Sequence, residues 1–434
     1  MMTPTLLTDE RMQAFLRDGY VTLDAGLPAE FHQDVHGQIT ELYASHGNPG
    51  NDILPRVPAL HDVLSSPDVH GALHSLLGPD YLLHPHRHCH QNVAGSKGQR
   101  MHQDSYEADQ NVRHHRVRWL MAFYYPHDVD ASNGPSSIVP ATQYLTGKDQ
   151  HGNPDELPVL GQAGTVTIVH YDLWHRATPN AATADRFMVK FLFTRMAEPS
   201  PTDWQHDGRP WTASGAADDP LCADIWDWYR GAESTGNDNS ADDLECLLAE
   251  GDEMQRYSAA YRLGAAGSVH ALISALRKEA KDRLAANVER SHTNPAQFDA
   301  AYGLTAAGTE ALPALADLLH DEDWALRASA ADILGDIGTA AADGVSALQT
   351  ALGDESEWVR RNATEALGNI GPASAGAANT LAGRLTDDDV AVRHNAALAL
   401  GKIGSAPVDA LTSAAGDDDH YVSTLSAEAL KRLR

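Results

Sequence analysis

From about residue 320 onward the chain repeats itself, and the period decides what this half can fold into. Leu326-Arg327-x-x-Ala330-Ala331-x-x-Leu334-Gly335-x-Ile337-Gly338 recurs as Val359-Arg360-x-x-Ala363-x-x-Ala366-Leu367-Gly368-x-Ile370-Gly371. It returns as Val392-Arg393-x-x-Ala396-Ala397-x-Ala399-Leu400-Gly401-x-Ile403-Gly404, so Gly335, Gly368 and Gly401 stand 33 residues apart. Degenerate copies end at Gly267 and Gly308, and a last half-copy runs from Val422 to Leu433. Within a copy, small and aliphatic residues fall three and four apart and share one helix face. Glycine then ends the helix, and a second apolar helix such as Val345-x-x-Leu348-x-x-x-Leu352 follows before an Asp-rich turn suited to cap the next one. A two-helix unit of this length cannot bury its apolar face alone. The period therefore predicts a stacked all-α solenoid over residues 242–434.

Residues 1–235 follow a different rule. Asp9 to Asp18 and Pro28 to His46 have helical apolar spacing. From Tyr81 onward, short runs separated by Gly, Pro and Asn take over: Tyr81–Val93, Arg116–Tyr125, Gly164–His170 and Arg186–Thr194 are strand-length and rich in aromatic or β-branched residues. Short strands after leading helices predict a jelly roll, a double-stranded β-helix braced by helices. Four tryptophans (Trp204, Trp211, Trp226, Trp228) mark a packed tail of this first domain, with a linker near Gly231–Asn239. His114 and His115 are expected in an exposed loop.

Composition narrows the partners. The net charge is −28, and acids outnumber bases in both halves, which argues against nucleic acid or an anionic membrane. No apolar run reaches the roughly eighteen residues of a membrane span, and the first twenty residues lack the features of a secretory signal. Three cysteines with no CxxC spacing fit a reducing compartment. These features together imply a cytoplasmic protein. Histidine is unusually common, at 23, and many crowd between His84 and His115.

That cluster is where a metal would be sought. On a strand, residues i and i+2 point the same way, so His-x-Asp offers an imidazole and a carboxylate together. Three such pairs occur: His32–Asp34, His102–Asp104 and His170–Asp172. The first sits in a helical pattern, where i and i+2 diverge by about 200°. The third ends a strand, and only the tryptophan-rich tail or the repeats could supply a later histidine. The middle pair has His175 in the turn after strand Gly164–His170, and Arg186 opens the next strand. Two histidines and one carboxylate leave three positions of an iron open for a bidentate oxo-acid and oxygen. A guanidinium near them can pair with the far carboxylate of that acid.

At these residues the sequence resembles the phytanoyl-CoA dioxygenase-like branch of the 2-oxoglutarate oxygenases. The matching elements are His102-Gln103-Asp104, the strand with Trp119, and Asn133-Gly134 leading to Val139-Pro140. They continue as Trp174-His175-x-x-x-x-Asn180-x-x-x-x-x-Arg186, and the likeness runs from about Leu7 to Met196. The resemblance implies Fe(II) on His102, Asp104 and His175, the distal carboxylate of 2-oxoglutarate on Arg186, and O2 as co-substrate. Trp119 would line the cavity wall. His84, His86, His88, His90 and Asn92 alternate along one strand and would share a face; Asn92 is assigned to the cosubstrate, His88 and His90 to cosubstrate or substrate. Tyr106 and Arg118 are further substrate candidates. Two departures stand out. Ala177 replaces the usual Ser or Thr two residues after the distal histidine, with Thr178 next to substitute, and Pro140-Ala141-Thr142-Gln143 replaces a Pro-Gly-Ser-His turn. The repeats resemble HEAT-like repeats.

The expectation is therefore a multidomain protein, an oxygenase domain at 1–235 and a HEAT-like domain at 242–434. Its reaction would be hydroxylation of a C–H bond in a small polar metabolite or natural product, with release of succinate and CO2. Asp104 argues against a halogenase, which vacates that position for halide; desaturation, epimerisation and cyclisation use the same triad. A contrasting class is a scaffold whose repeats bind a protein partner or self-associate, with the oxygenase domain in a regulatory role. Succinate release separates the two.

Overall fold

The computed structural model describes residues 3–104, 114–146, 156–232, 241–286, 294 and 296–433. The chain forms two compact units: Met1–Asp104, Val117–Arg195 and Pro199–Pro210 in one, and Ser105–Arg116, Met196–Glu198 and Trp211–Arg434 in the other. Among the described residues, no helix is long and apolar enough to cross a membrane.

Among the described residues, the first unit is built on eight strands: β1 (Tyr20–Asp24), β2 (Leu82–Asn92), β3 (Trp119–Tyr124), β4 (Ser136–Ile138), β5 (Leu157–Pro158), β6 (Thr165–His170), β7 (His175–Ala177) and β8 (Arg186–Thr194). They make a five-stranded sheet in the order β1-β6-β3-β8-β2 and a three-stranded sheet in the order β5-β4-β7. Every pairing between these strands is antiparallel. This is the jelly-roll architecture that the alternation predicts. Strands β3, β6 and β8 are buried along their whole length, which is why they read as almost unbroken apolar runs. Helix Ala29–His46 braces the larger sheet: His32 Nδ1 lies 2.8 Å from the Tyr124 hydroxyl. His32 is thus committed to packing.

Three features differ from the reading of the sequence. A register shift between Leu83 and Arg87 interrupts β2, so the run of alternating histidines does not hold one face throughout. His84 turns instead onto the Trp119 ring, with centroids 5.4 Å apart. His175 begins a short strand of the smaller sheet rather than lying in a turn. The tryptophan tail is divided: Trp204 donates to Asp9 Oδ1 at 2.5 Å in the first unit, while Trp211, Trp226 and Trp228 fall in the second.

The turn Pro140–Gln143 carries its own strain. Ala141 has φ of 63°, in the left-handed region where a Cβ is unfavourable, at the position where the resembling proteins have glycine. Hydrogen bonds hold it there: Ala141 N donates to Asp18 O at 3.1 Å, and Gln143 Nε2 to Leu16 O at 3.0 Å.

In the second unit, helix Trp324–Ile337 packs on Glu357–Ile370, that helix on Val390–Ile403, and that on His420–Arg432. The repeating glycines have two distinct jobs. Gly338 and Gly371 end their helices with φ of 77° and 75°. Gly335 and Gly368 instead lie where neighbouring helices touch: a Cβ on Gly335 would sit 2.6 Å from Ala366 Cα, and one on Gly368 2.8 Å from Ala399 Cα. The Arg of each motif stitches one repeat to the next. Arg327 grips Asp354 through Nε at 2.7 Å and Nη2 at 2.9 Å; Arg360 grips Asp387 at 3.0 and 2.9 Å. Asp323, Asp389 and Asp419 cap the helices that follow them.

His114 and His115 are buried in this unit, a correction to the exposed loop expected from their polarity. His114 lies between Asp336 and Glu365, 3.3 Å from each. Burial favours its neutral form, but the two carboxylates prevail and hold its pKa well above the usual histidine value. His115 stacks on Tyr302, with ring centroids 3.6 Å apart, and its Nδ1 lies 3.0 Å from the Tyr261 hydroxyl. Arg116 donates to the Asp336 carbonyl and lies over the Trp228 ring.

Candidate metal centre

An isolated antiparallel bridge assembles the site. His102 and His175 exchange both backbone hydrogen bonds, at 3.0 and 2.9 Å, which sets their side chains next to each other. Gln103 anchors the same turn, donating through Nε2 to the carbonyls of Leu145 at 2.9 Å and Asp172 at 2.6 Å. Trp174 Nε1 donates to that same Leu145 carbonyl at 3.1 Å. The residues between and beside the candidate ligands therefore fix the backbone that presents them.

Both imidazoles are oriented alike. His102 Nδ1 lies 2.9 Å from the Arg100 carbonyl, and His175 Nδ1 2.9 Å from the Leu173 carbonyl. A ring that donates Nδ1–H to a carbonyl keeps an Nε2 lone pair free, the tautomer a metal needs. Those Nε2 atoms converge on one oxygen, Asp104 Oδ1, at 3.5 Å from His102 and 3.7 Å from His175. The three ligand atoms all lie within 4.8 Å of one another, and among the described residues no other group of His, Cys, Asp and Glu does so. Burial raises the Asp104 pKa, but Lys190, His175 and His102 prevail and hold it well below the usual carboxylate range. Burial also pushes the His175 pKa down, which keeps that ring a neutral donor.

A cavity of about 230 Å³ opens beside this cluster. Its lining includes His90, Asn92, Phe123, Arg186, Met188 and Lys190 as well as His102, Asp104 and His175. Arg186 is 1% exposed, its Nε donates to the Gly134 carbonyl at 2.9 Å, and its Nη1 has no hydrogen-bond partner. Asn92 Nδ2 donates to the same carbonyl at 2.9 Å and to Thr178 O at 3.0 Å. The Asn133-Gly134 turn is thus the support that aims both side chains. A Cβ on Gly134, whose φ is 73°, would fall 2.2 Å from Asn92 Nδ2. Nε2 of His90 is also buried without a partner.

The other candidates are placed apart from the cavity wall. Thr178 Oγ1 donates to Pro135 O at 2.9 Å, so its hydroxyl secures the turn beneath Arg186. Trp119 packs against His84 and Tyr171. His88 Nε2 lies 3.0 Å from Asn48 Nδ2, and Arg118 is buried with its carbonyl accepting from Arg195 N at 2.9 Å. Tyr106 lies outside the described residues. Lys190 is the residue the sequence reading missed: its Nζ lies 2.5 Å from Asp104 Oδ2. A signal was present, since Lys190 is the lone charge inside the run Phe187–Thr194 and shares strand parity with Arg186.

Two histidines and one carboxylate on a sheet-rich scaffold, with open space beside them, are the donor set of a mononuclear non-haem metal site. Residues 2–188 match the family model of phytanoyl-CoA dioxygenase, and residues 312–390 and 345–431 match that of HEAT repeats. The chain carries a phytanoyl-CoA dioxygenase-like domain followed by HEAT repeats. Comparison with curated proteins gives no match. Solved structures similar to this chain include the non-haem α-ketoglutarate-dependent carbocyclase SnoK from nogalamycin biosynthesis. It shares 18% identity over 45% of this chain and 88% of that one, with a TM-score of 0.37. EctD from S. alaskensis with 2-oxoglutarate and 5-hydroxyectoine shares 16% over 45% and 79%, with a TM-score of 0.37. The non-haem monooxygenase ThoJ in a nickel complex shares 19% over 49% and 94%, with a TM-score of 0.33.

Proposed function

We propose that the N-terminal domain is an Fe(II)- and 2-oxoglutarate-dependent dioxygenase that hydroxylates a C–H bond of a small polar metabolite or natural product, releasing succinate and CO2. One observation carries the reading. The Nε2 atoms of His102 and His175 converge on Asp104 Oδ1, and a buried guanidinium whose Nη1 has no partner among the described residues lines the same cavity. The donor set suits iron, and the orphaned Arg186 nitrogen suits an anion that is absent from the chain itself.

When bound, the iron would activate O2, the oxidant, with the oxo-acid giving up two electrons as it becomes succinate and CO2 and the substrate C–H bond giving up the other two. The chain's own residues do the rest. His102, Asp104 and His175 would hold the metal from one side. Arg186, steadied by the Gly134 carbonyl, would take the distal carboxylate, and Asn92 would keep that carbonyl in place. Met188 and Phe123 present apolar surface beside the reacting groups and limit water there.

The test is succinate release from 2-oxoglutarate with a panel of metabolites, in protein loaded with Fe(II), alongside His102→Ala. Substrate-dependent succinate that His102→Ala abolishes supports the assignment. A preparation that binds neither Fe(II) nor 2-oxoglutarate sinks it.

A further inference from the structure

We infer that Lys190 selects a substrate bearing a single negative charge, a carboxylate, close to the carbon that reacts. This rests on the iron and 2-oxoglutarate reading above.

Side chains at alternate positions of β8 face the cavity, and Arg186, Met188 and Lys190 all line it. At about 3.3 Å per residue, Lys190 stands some 13 Å along the strand from Arg186. The two cations therefore sit at opposite ends of the site, with Lys190 at the metal end beside Asp104. The cosubstrate's distal carboxylate belongs to Arg186, which leaves Lys190 without a role in holding it.

Charge balance then becomes informative. The lining contains three cationic side chains, Arg176, Arg186 and Lys190, against one acid, Asp104. This is a cationic cavity in a chain of net charge −28. Arg176 already pairs with Glu156 at 2.9 Å. A divalent metal would be neutralised by Asp104 and the near carboxylate of 2-oxoglutarate, and Arg186 by the far one. Lys190, with a side chain only 9% exposed, shares Asp104 with the metal, so the loaded site as a whole keeps one positive charge in excess at the Lys190 end. The imidazoles around it add no charge of their own: burial first, and Lys190 second, push His86 down to about 4 and also lower His88 and His90. An uncompensated net charge in a buried site is costly, and one carboxylate on the substrate balances it.

Geometry agrees. The Asp104 oxygen that faces the two histidines is Oδ1, and Lys190 holds the other one, Oδ2. An ammonium has three donors, and the bond to Oδ2 uses one of them. Among the described residues the remaining donors have no partner, and they can point along the wall, near where a substrate carbon must lie to reach the metal. A dianion such as a phosphate monoester would overshoot the balance by one charge.

The experiment uses the full chain loaded with Mn(II) and 2-oxoglutarate without oxygen, with both loadings measured first on each variant. Acetate, butyrate and benzoate are then titrated against acetamide, butyramide and benzamide, followed by calorimetry and by water-proton relaxation of the Mn(II). The acids are expected to bind and the amides not. Lys190→Met should weaken the acids by roughly tenfold or more, about 1.4 kcal/mol, and Lys190→Arg should retain the preference. Equal binding of acids and amides, no binding of either, or an unchanged acid affinity in Lys190→Met would overturn the inference. The comparison in the unaltered chain stands even where Lys190→Met folds poorly. Failure of Mn(II) or 2-oxoglutarate to load would instead bring down the iron reading itself.

Discussion

Two sets of arginines in this molecule are treated in opposite ways. In the repeats, Arg327 and Arg360 each bind a neighbouring aspartate through two nitrogens, and Nη1 reaches two backbone carbonyls besides. In the sheet-rich unit, Arg186 is more deeply buried, yet it has one backbone carbonyl, an aromatic face 5.9 Å away and a nitrogen with nothing to bond. A cation that the fold satisfies is there for the fold. Arg186 is left partly unsatisfied where it lines the cavity beside the histidines, which leaves it available to something the chain does not contain.

The sharpest way to break that contrast is to neutralise both kinds. Arg186→Met should raise the Kd for 2-oxoglutarate by about a hundredfold, roughly 3 kcal/mol, as expected for removing one partner of a buried charge pair. The thermal midpoint should hardly move. An unchanged affinity, read by calorimetry, would remove Arg186 from the site. Gly335→Val acts on the repeats alone: its branches would press on Ala366, and the second unit should lose about 2–3 kcal/mol by urea unfolding. If stability were unaffected, close packing of adjacent helices at this glycine would be wrong.

His114 lends the comparison a pH dependence. Its folded pKa is raised, so its contribution is complete below the ordinary value near 6.5 and disappears as pH climbs through the raised one. Unfolding followed through the repeat helices should show stability falling on the alkaline side. In His114→Gln that slope should flatten, and a slope identical to the parent would refute the assignment. Arg360→Met should cost about 1–2 kcal/mol of repeat stability and leave 2-oxoglutarate affinity untouched, the mirror image of Arg186→Met. The smallest effect concerns Ala141. Replacing it by glycine relieves a left-handed Cβ and should stabilise the first unit by about 1 kcal/mol; a loss of stability would show that its φ is not strained.

What was legible in the sequence follows from how local each signal is. The repeats declared themselves because one helix pair is copied with its glycines and arginine in register. Strands β3, β6 and β8 were legible because burial on both faces makes them continuously apolar. The convergence of His102, Asp104 and His175 was expected from their order and spacing, but the bridge that pairs the two histidines involves one residue from each segment. No pattern reveals so short a pairing. The irregularity in β2 was hidden for a similar reason: β2 takes four steps from Leu83 to Arg87 while its partner takes two from Phe193 to Phe191, and composition does not show this. Lys190 was readable in principle and passed over, as one polar residue in an apolar strand is easily taken for an edge. His114 and His115 were misjudged because polarity suggested solvent, whereas their partners lie about 150 to 250 residues further along the chain.

That last feature bears on how such a protein can be cut and joined. The second unit is discontinuous in sequence: His115 fills its tyrosine slot, His114 its Asp336–Glu365 pair, and Arg116 lies over Trp228, all three encoded well upstream of the repeats. A repeat cassette excised at residue 242 would carry the buried Asp336 and the half-buried Glu365 with no cation between them, and an aromatic groove with no occupant. Gene fusion and recombination favour modules whose borders coincide with breaks in the chain. Here the borders do not coincide, so the tripeptide His114-His115-Arg116 has to travel with the array, and substitutions on either side of it must be inherited together.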